Sequence, residues 1–556
     1  MKRPTLLLLL LSLLFCFACG DDDDDNNDSH DGDDDDSVDD DDNDTGDDDD
    51  DSTPQPTDWD DIAIAEIAAP NETTVRVTLS GDPGDEQAEQ ADIYSLSSPK
   101  HDLEISAVDY NAVSRQVTLT TTKQALGLTY TLTIDPQDAT EALTADFPAA
   151  DTAKLWAVDF GDPGFAQYEV TAYRAAIGDK CVVYLEEGMN IDNTDDVVTK
   201  FDEQIYPTLT DLFVDPPDQD DNGRILIFGL NGNGYYGGYF SPVDTFSEEY
   251  AWSTWGSHSN EKEMIYINVE GGTLDAVNVV PHEFQHLLYN HRHGTYNEYW
   301  DYHDEGLAEC ACHAAFGVKQ GAVDFFFYSS AVAQGLSLVH WTWGMYDNYV
   351  QAYLWWTYLA SRLNGVATYG ELFDLDTGNP EEINAWLTTE LGVDFPTAQG
   401  QWYMANWIMD ADGDTGYRGM MDWTPHTAPR VAAGTTSVNL EPFAGALFTL
   451  AETSVSYPGT QGDNIVYFGI DGDNNIDDAE PFDIDGGVLI VFNENQQHVI
   501  WPGEHSGPDI AATGARFIGS PAAASPAWLD PPPVHPARLD ALRAWRYGTI
   551  ERLRHR

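Results

Sequence analysis

The stretch "PHEFQHLLYN", residues 281–290, places His282 and His286 four residues apart, with Glu283 between them. On a helix, positions i and i+4 share a face about one turn apart, so both imidazoles can reach one ion. The pattern suits Zn²⁺, with the intervening glutamate near enough to a metal-bound water to take its proton. The chemistry implied is metal-assisted hydrolysis. With 15 histidines in the chain, the five-residue string alone is a moderate signal. Phe284, Leu287 and Leu288 give the helix an apolar face to bury. Pro281 either opens this helix in its first turn or kinks a longer one that begins near Thr273.

A tetrahedral catalytic zinc takes three protein ligands and keeps one open position. Continuation as H-E-x-x-H-x-x-G-x-x-H would need Gly at 289 and His at 292, where the chain has Tyr289 and Arg292. His291 and His293 are out of register and read as surface or loop residues. The other source of a third ligand is a glutamate on a following helix. "HDEGLAECACHAAFG" (303–317) reads as helical, and Glu305 follows His286 after 18 intervening residues, room for a loop and a return. Glu309 lies one turn beyond Glu305 on the same face, where its carboxylate can accept the outer N–H of His282 and fix its tautomer. Leu307, Ala308, Ala311, Ala314 and Ala315 leave little of this helix for solvent, which argues against a solvated acidic face.

"HEFQHLLYN" followed by "DEGLAECA" resembles the hyicolysin-like zinc metallopeptidases, whose usual form is H-E-[FY]-Q-H followed by W-x-N-E-G-L-A-E. It is similar, more distantly, to thermolysin and the gluzincin aminopeptidases. "FDEQIYPTLTDLF", "DQDDNGRILIFGL", "YYGGYFSPVD" and "SNEKEMIYIN" also look like that family, so the resemblance covers about 150–425. It implies an α+β zincin-type catalytic domain of the gluzincin kind, acting on peptide bonds. Zn²⁺ is then held by His282, His286 and Glu305, with Glu283 as general base. Asp304 stands where the family commonly has Asn; as a neighbour of a ligand it is expected to be tolerated. The resemblance also implies a Tyr or His that stabilises the oxyanion. "YVQAYLWWTYL" (349–359) loosely matches the Y-x-x-G-x-x-L-L-x-Y-L helix of the aminopeptidases and puts Tyr349 in that role. Core packing is the competing reading for Tyr349, Tyr353 and Tyr358. The G-x-M-E-N string with which those relatives hold a substrate's N-terminal amine is absent from the sequence, which favours an endopeptidase. "MIYIN" (264–268) is expected to be an edge strand that pairs with an extended substrate.

Strand-like runs at 181–186, 224–230 and 264–269, and helix-like runs near 194–212, 282–291, 304–317, 349–363 and 380–391, must position these residues. Before them, residues 59–147 carry short alternating runs such as "TTVRVTLS" and "TYTLTI" between Gly, Pro and Asp, the pattern of an antiparallel sandwich. That stretch resembles bacterial immunoglobulin-like modules. Residues 430–529 are again β-rich, and 530–556 hold "DPPPVHP" and a basic tail read as a frayed terminal helix. The expected fold is therefore multidomain, a catalytic α+β part at 150–425 flanked by β-rich domains.

Asp and Glu total 97 against 24 Lys and Arg, a net charge of −73, which repels nucleic acid and anionic membrane surfaces. Residues 21–52 contain 21 aspartates with no Lys or Arg, so residues 20–58 read as an extended tether. Residues 1–19 carry Lys2 and Arg3 before an apolar run from Leu6 to Ala18, too short to span a bilayer and consistent with an export signal. Cys19 then sits where a bacterial lipoprotein is lipidated, with Cys16 a departure from the usual Leu; ordinary cleavage and secretion is the alternative. Membrane contact is expected through that anchor alone, and the partner is a protein or peptide substrate.

Asp218, Asp220 and Asn222 spell the first half of a calcium loop, D-x-D-x-N-G, without its closing glutamate, since Gly229 stands there. Ca²⁺ at this loop competes with an ordinary acid-rich turn, and the acidic turns at Asp410 and Asp471 are looser matches. Cys310 and Cys312 point apart on one helix, which leaves a bridge from Cys181 to one of them open. The rival functional reading is a surface binding or adhesion protein with an inactive zinc domain. A zinc hydrolase of non-peptide bonds is the third.

Overall fold

The computed structural model describes residues 55–501 except 163, 234–236, 270, 295–300, 342–344, 433–436, 451–452, 457–464 and 495–497. The export signal with Cys19, nearly all of the aspartate tether and the basic tail lie outside the described residues.

Seven strands open the described chain: β1 (Ile64–Asn71), β2 (Thr74–Leu79), β3 (Tyr94–Ser97), β4 (Ile105–Asn111), β5 (Gln116–Thr121), β6 (Thr129–Ile134) and β7 (Leu143–Pro148). A short helix, α1 (Asp85–Ala88), precedes β3. The strands form two antiparallel sheets, β1-β2-β5-β4 and β3-β6-β7. Alternation turns Val75, Val77, Val117 and Leu119 of the first sheet inward to meet Leu96, Tyr130 and Leu132 of the second.

Six further strands build the sheet behind the histidines. They are β8 (Thr152–Val158), β9 (Gln167–Ile177), β10 (Cys181–Glu186), β11 (Ile225–Leu230), β12 (Gly238–Phe240) and β13 (Met264–Asn268). Their order is β12-β13-β11-β10-β9-β8. β10, β11 and β13 are parallel neighbours, covered on both faces, and so read as unbroken apolar runs. The expectation that "MIYIN" is the edge fails. β12 pairs antiparallel outside it, Tyr239 opposite Tyr266, and takes the edge position. Three residues beside a glycine pair carry too little alternation to read as a strand. Gly238 is required there: a Cβ would lie 2.7 Å from Glu283 Cγ and 2.8 Å from the Tyr266 carbonyl oxygen.

The helices follow as α2 (Thr194–Lys200), α3 (Tyr206–Leu212), α4 (Glu248–Trp255), α5 (Val280–His293), α6 (Gly306–Phe316), α7 (Gln320–Tyr328), α8 (Ser330–Ala333), α9 (Tyr346–Ser361), α10 (Thr368–Phe373), α11 (Pro380–Glu390) and α12 (Phe395–Ile408). The helix read over 194–212 forms without a break, with a π-helical turn, Phe201–Ile205, between α2 and α3. Pro281 sits in the first turn of α5, so it opens the helix and does not bend it. Gly294, in the left-handed region at φ 58°, closes α5. Phe284, Leu287 and Leu288 are fully buried, a burial worth about 1.5–3 kcal/mol for each side chain. Among the described residues no helix is long and apolar enough to cross a membrane.

The apolar core under these helices continues into the C-terminal strands. In the antiparallel sheet containing Gly445–Phe448, Ile465–Ile470 and Val488–Asn493, Leu447, Ile470, Ile490 and Phe492 join the helical core. The alternate residues Phe448, Leu489 and Val491 pack on the other side with Trp501. Cys181, Cys310 and Cys312 are all free and buried, so the bridge from Cys181 does not form.

The return from α5 to α6 depends on Gly306. A Cβ there would lie 2.5 Å from the Trp356 ring and 2.8 Å from the Ala352 Cβ, both on α9. Alanine in a helix normally gains about 1 kcal/mol over glycine. Gly306→Ala is instead expected to destabilise the protein by about 1–3 kcal/mol through overpacking. Chemical denaturation checks the sign, and a variant as stable as the parent would show that α6 and α9 are not in tight contact.

Candidate metal centre

α5 carries His282, Glu283 and His286 on a buried face; a second π-helical turn, Asp301–Glu305, then leads directly into α6. Turns of this kind inside helices recur at functional sites, because the extra residue re-aims one side chain. Here Glu305 is the residue re-aimed. Its Oε2 lies 3.2 Å from His282 Nε2 and 3.2 Å from His286 Nε2, and the two Nε2 atoms are 3.1 Å apart. The ring planes cross at 86°, so both nitrogens point at the same spot. All three side chains are buried.

The outer nitrogen of each ring is held by a carboxylate. His282 Nδ1 donates to Glu309 Oε1 at 3.1 Å, and His286 Nδ1 donates to Asp304 Oδ2 at 2.9 Å. Each proton is therefore held on the outside of its ring, and the lone pairs face inward. Two lone pairs and a carboxylate oxygen crowded in a buried site repel one another unless a proton or a metal cation lies among them. Donor atoms 3.1–3.2 Å apart are close enough that one divalent ion could bind all three at distances typical of zinc to nitrogen and oxygen, about 2.0–2.2 Å. The residues present thus fit a divalent metal such as zinc.

The electrostatics follow the same logic. Burial alone would lower His286, but Asp304 and Glu305 outweigh it and push the group up to about 10; His282 is also raised, by Glu305 and Glu309 against burial. Burial alone would raise Glu309, yet Lys319 and His282 hold it at about 2, an anion throughout the neutral range. Lys319 is itself buried and ion-paired with Glu309 Oε2. It follows α6 in a loop whose sequence gives no hint of a buried cation, and so the sequence reading missed it.

Asp304 was missed in a different way. It was read as a bystander beside the ligand, whereas it is the group that orients His286. An Asn there could accept the same hydrogen bond, but Asp adds a negative charge beside the imidazole. Tyr289 has an equally concrete task. Its hydroxyl bonds His303 Nδ1 at 2.8 Å while His303 Nε2 donates to the Leu372 carbonyl, pinning the π-turn to α5 two residues before Glu305. Burial holds His303 near 4, so it stays neutral. The residue that breaks the H-x-x-G-x-x-H continuation is thus a strut for the glutamate that replaces it.

Glu283 is buried and packs its Cγ against the edge strand at Gly238. Tyr349, in the first turn of α9 and half-buried, lies ring to ring with His282 at 6.2 Å and with Trp341 at 5.0 Å. Tyr353 and Tyr358 are core residues; Tyr353 accepts the Lys319 N–H and Tyr358 donates to the Asp414 carbonyl. Of the calcium-loop residues, Asp218 and Asp220 precede β11 with their carboxylates close together, and Asn222 lies beside Asp220 with its side-chain oxygen turned to the backbone. Its amide donates to the Leu126 carbonyl and to Asp220, and its oxygen accepts the Arg224 N–H. The looser turn at Asp471 closes on its own Asn475 and Asp473.

This donor set, on one helix and the turn that opens the next, can hold a divalent metal. Comparison with known proteins finds the neutral metalloprotease ShpI of Staphylococcus hyicus, 25% identical over 207 residues, which are 33% of this chain and 45% of that protein. The chain therefore spans less than half the length of that relative, and the likeness supports a metallopeptidase relationship at that coarse level. No family model matches the chain. Among solved structures, the N-terminal part of the bacterial S-layer protein SbsC is 18% identical, covering 18% of this chain and 26% of that one, at a TM-score of 0.15. The S-layer protein rSbsC(31-844) is 16% identical over 18% and 15%, also at 0.15. Superpositions this poor carry no argument.

Replacing Glu309 or Asp304 by Ala frees the ring each one orients. Zinc affinity is expected to fall about 10–100-fold for either change. Asp304→Asn keeps an acceptor and is expected to lose far less. A competition titration against a chromophoric chelator measures all three; unchanged affinity in the alanine variants would remove both carboxylates from the site's support.

Proposed function

We propose that this chain is a zinc-dependent endopeptidase, built on a gluzincin-type catalytic part and exported to the cell surface or beyond. The observation that carries the reading is the triangle of His282 Nε2, His286 Nε2 and Glu305 Oε2, its edges 3.1–3.2 Å and its outer nitrogens held by carboxylates. Bound among those three atoms, Zn²⁺ supplies Lewis acidity and a water acidic enough to ionise near neutral pH. Glu283, next to His282 on α5, takes a proton from the attacking water and delivers it to the departing amine. Tyr349 donates its hydroxyl hydrogen to the developing oxyanion. Asp304 and Glu309 hold the two rings in register, and Lys319 keeps Glu309 ionised.

The outer edge of β12 offers backbone groups to an extended peptide, which would add to the sheet as a further antiparallel strand. Beside it lies a cleft of about 560 Å³ lined by Asn193, Lys200, Gly237, Asn268 and Val279, space for a substrate side chain. The sandwich of β1–β7 acts as an immunoglobulin-like spacer. Lipidated Cys19 and the aspartate tether would hold the enzyme off the membrane, since a run of like charge stays extended.

Casein degradation by the full chain tests this, because the helical core runs on into the C-terminal sheet. Glu283→Gln is expected to lower the rate by about 10²–10⁴-fold while zinc content is unchanged. Undiminished activity in that variant would sink the mechanism, and zinc retention with no turnover of any peptide by the parent chain would favour the binding-protein reading. Tyr349→Phe is expected to lower kcat by about 10²–10³-fold with little change in KM. An unaltered kcat would return Tyr349 to a packing role beside Trp341.

A further inference from the structure

We propose that Asp218, Asp220 and Glu263 form a second divalent-cation site, suited to Ca²⁺, at the seam between the N-terminal sandwich and the central sheet. The D-x-D-x-N-G loop lacks a closing glutamate in sequence. The fold supplies one from elsewhere. β11 and β13 are adjacent parallel strands with Leu226 opposite Met264, and the Leu226 N–H bonds the Glu263 carbonyl at 2.9 Å. The residue that precedes β13 is thereby set beside the loop that precedes β11. One carboxylate oxygen from each of Asp218, Asp220 and Glu263 lies within 4.8 Å of the other two.

Glu263 is the independent pointer to a ligand. It is 1% exposed, and its Oε1 has no hydrogen-bond partner among the described residues. A buried carboxylate left this way is strongly disfavoured as an anion unless a cation joins it. Burial, aided by Asp220, pushes its carboxyl up to about 8. The nearby lysines serve the other two acids. Lys100 Nζ is 2.8 Å from Asp218 Oδ2, and Lys262 Nζ is 3.4 Å from Asp220 Oδ2 and 3.8 Å from Glu72 Oε1. Neither reaches Glu263 at ion-pair distance.

The donor atoms are all oxygens, with no imidazole or thiolate, and hard oxygen sets select Ca²⁺ over zinc. Asp218 is exposed on one side, which leaves room for entry and for the waters that complete a calcium shell. Lys100 and Leu126 lie on connections within the sandwich, between β3 and β4 and between β5 and β6, whereas β11 and β13 back the helix that carries His282 and His286. A cation here would therefore tie the two layers together.

Thermal unfolding of the full zinc-loaded chain with added CaCl₂ tests the proposal, with Glu263→Gln and Asp218→Asn alongside. Glu263→Gln puts a neutral amide of nearly the same shape in place of a carboxyl that burial already keeps protonated, so without calcium it is expected to unfold near the parent's temperature. Calcium should raise the parent's Tm progressively up to about 10⁻⁴–10⁻³ M, the range of extracellular calcium modules, and leave both variants below it. The aspartate tether is common to all three chains and cancels in the comparison. An equal calcium response in parent and variants, or none in the parent, would overturn the site. A response to Mg²⁺ as large as that to Ca²⁺ would overturn the calcium assignment.

Discussion

Two imidazole nitrogens with inward lone pairs stand 3.1 Å apart in a buried pocket, facing one carboxylate. Such a group is held together only by positive charge among its members, a ring proton or a metal cation. The surroundings therefore have to impose the geometry. Glu309 and Asp304 fix the outer protons, and Lys319 balances Glu309. The rest of the catalytic region can be understood as the scaffold that this crowding demands.

That scaffold is assembled from contacts remote in sequence. Tyr289 and His303 clamp the π-turn onto α5, and Trp356 donates to the Tyr302 carbonyl from α9. Gly306 lets α9 approach close enough to do so. On the other side Gly238 lets the edge strand approach Glu283, so that carboxylate and the sheet edge are set together by one missing side chain. The polar site is thus held by apolar layers whose burial supplies the stabilising free energy. A cavity or clash in those layers would be felt at the metal ligands.

The cluster of His282, His286 and Glu305 was legible because its spacing is local. His282 and His286 share one turn, and Glu305 and Glu309 share another, so helical periodicity alone puts each pair on one face. What failed were relations that no local pattern encodes. β12 is three residues beside a glycine pair, and its place outside β13 is set by tertiary pairing. Lys319 is polar in sequence and buried only because Glu309 draws it in. Asp304 reads as a neighbour in one dimension and as a partner of His286 in three. The Ala-rich β9 and the Gly-containing α12 contradict their own propensities, and packing overrides them. Glu263 is the same lesson at a second cluster, since it completes a loop 40 residues upstream through strand pairing.

X-ray absorption at the zinc edge of the purified chain tests the central claim most directly. The account predicts a first shell of nitrogen and oxygen at about 2.0–2.2 Å, with the multiple scattering of two imidazoles. Loss of bound zinc in Glu305→Gln should accompany it. Sulfur at about 2.3 Å would contradict the account, since buried Cys310 and Cys312 lie on the same helix as Glu309. A shell of oxygen alone, without imidazole, would contradict it as well.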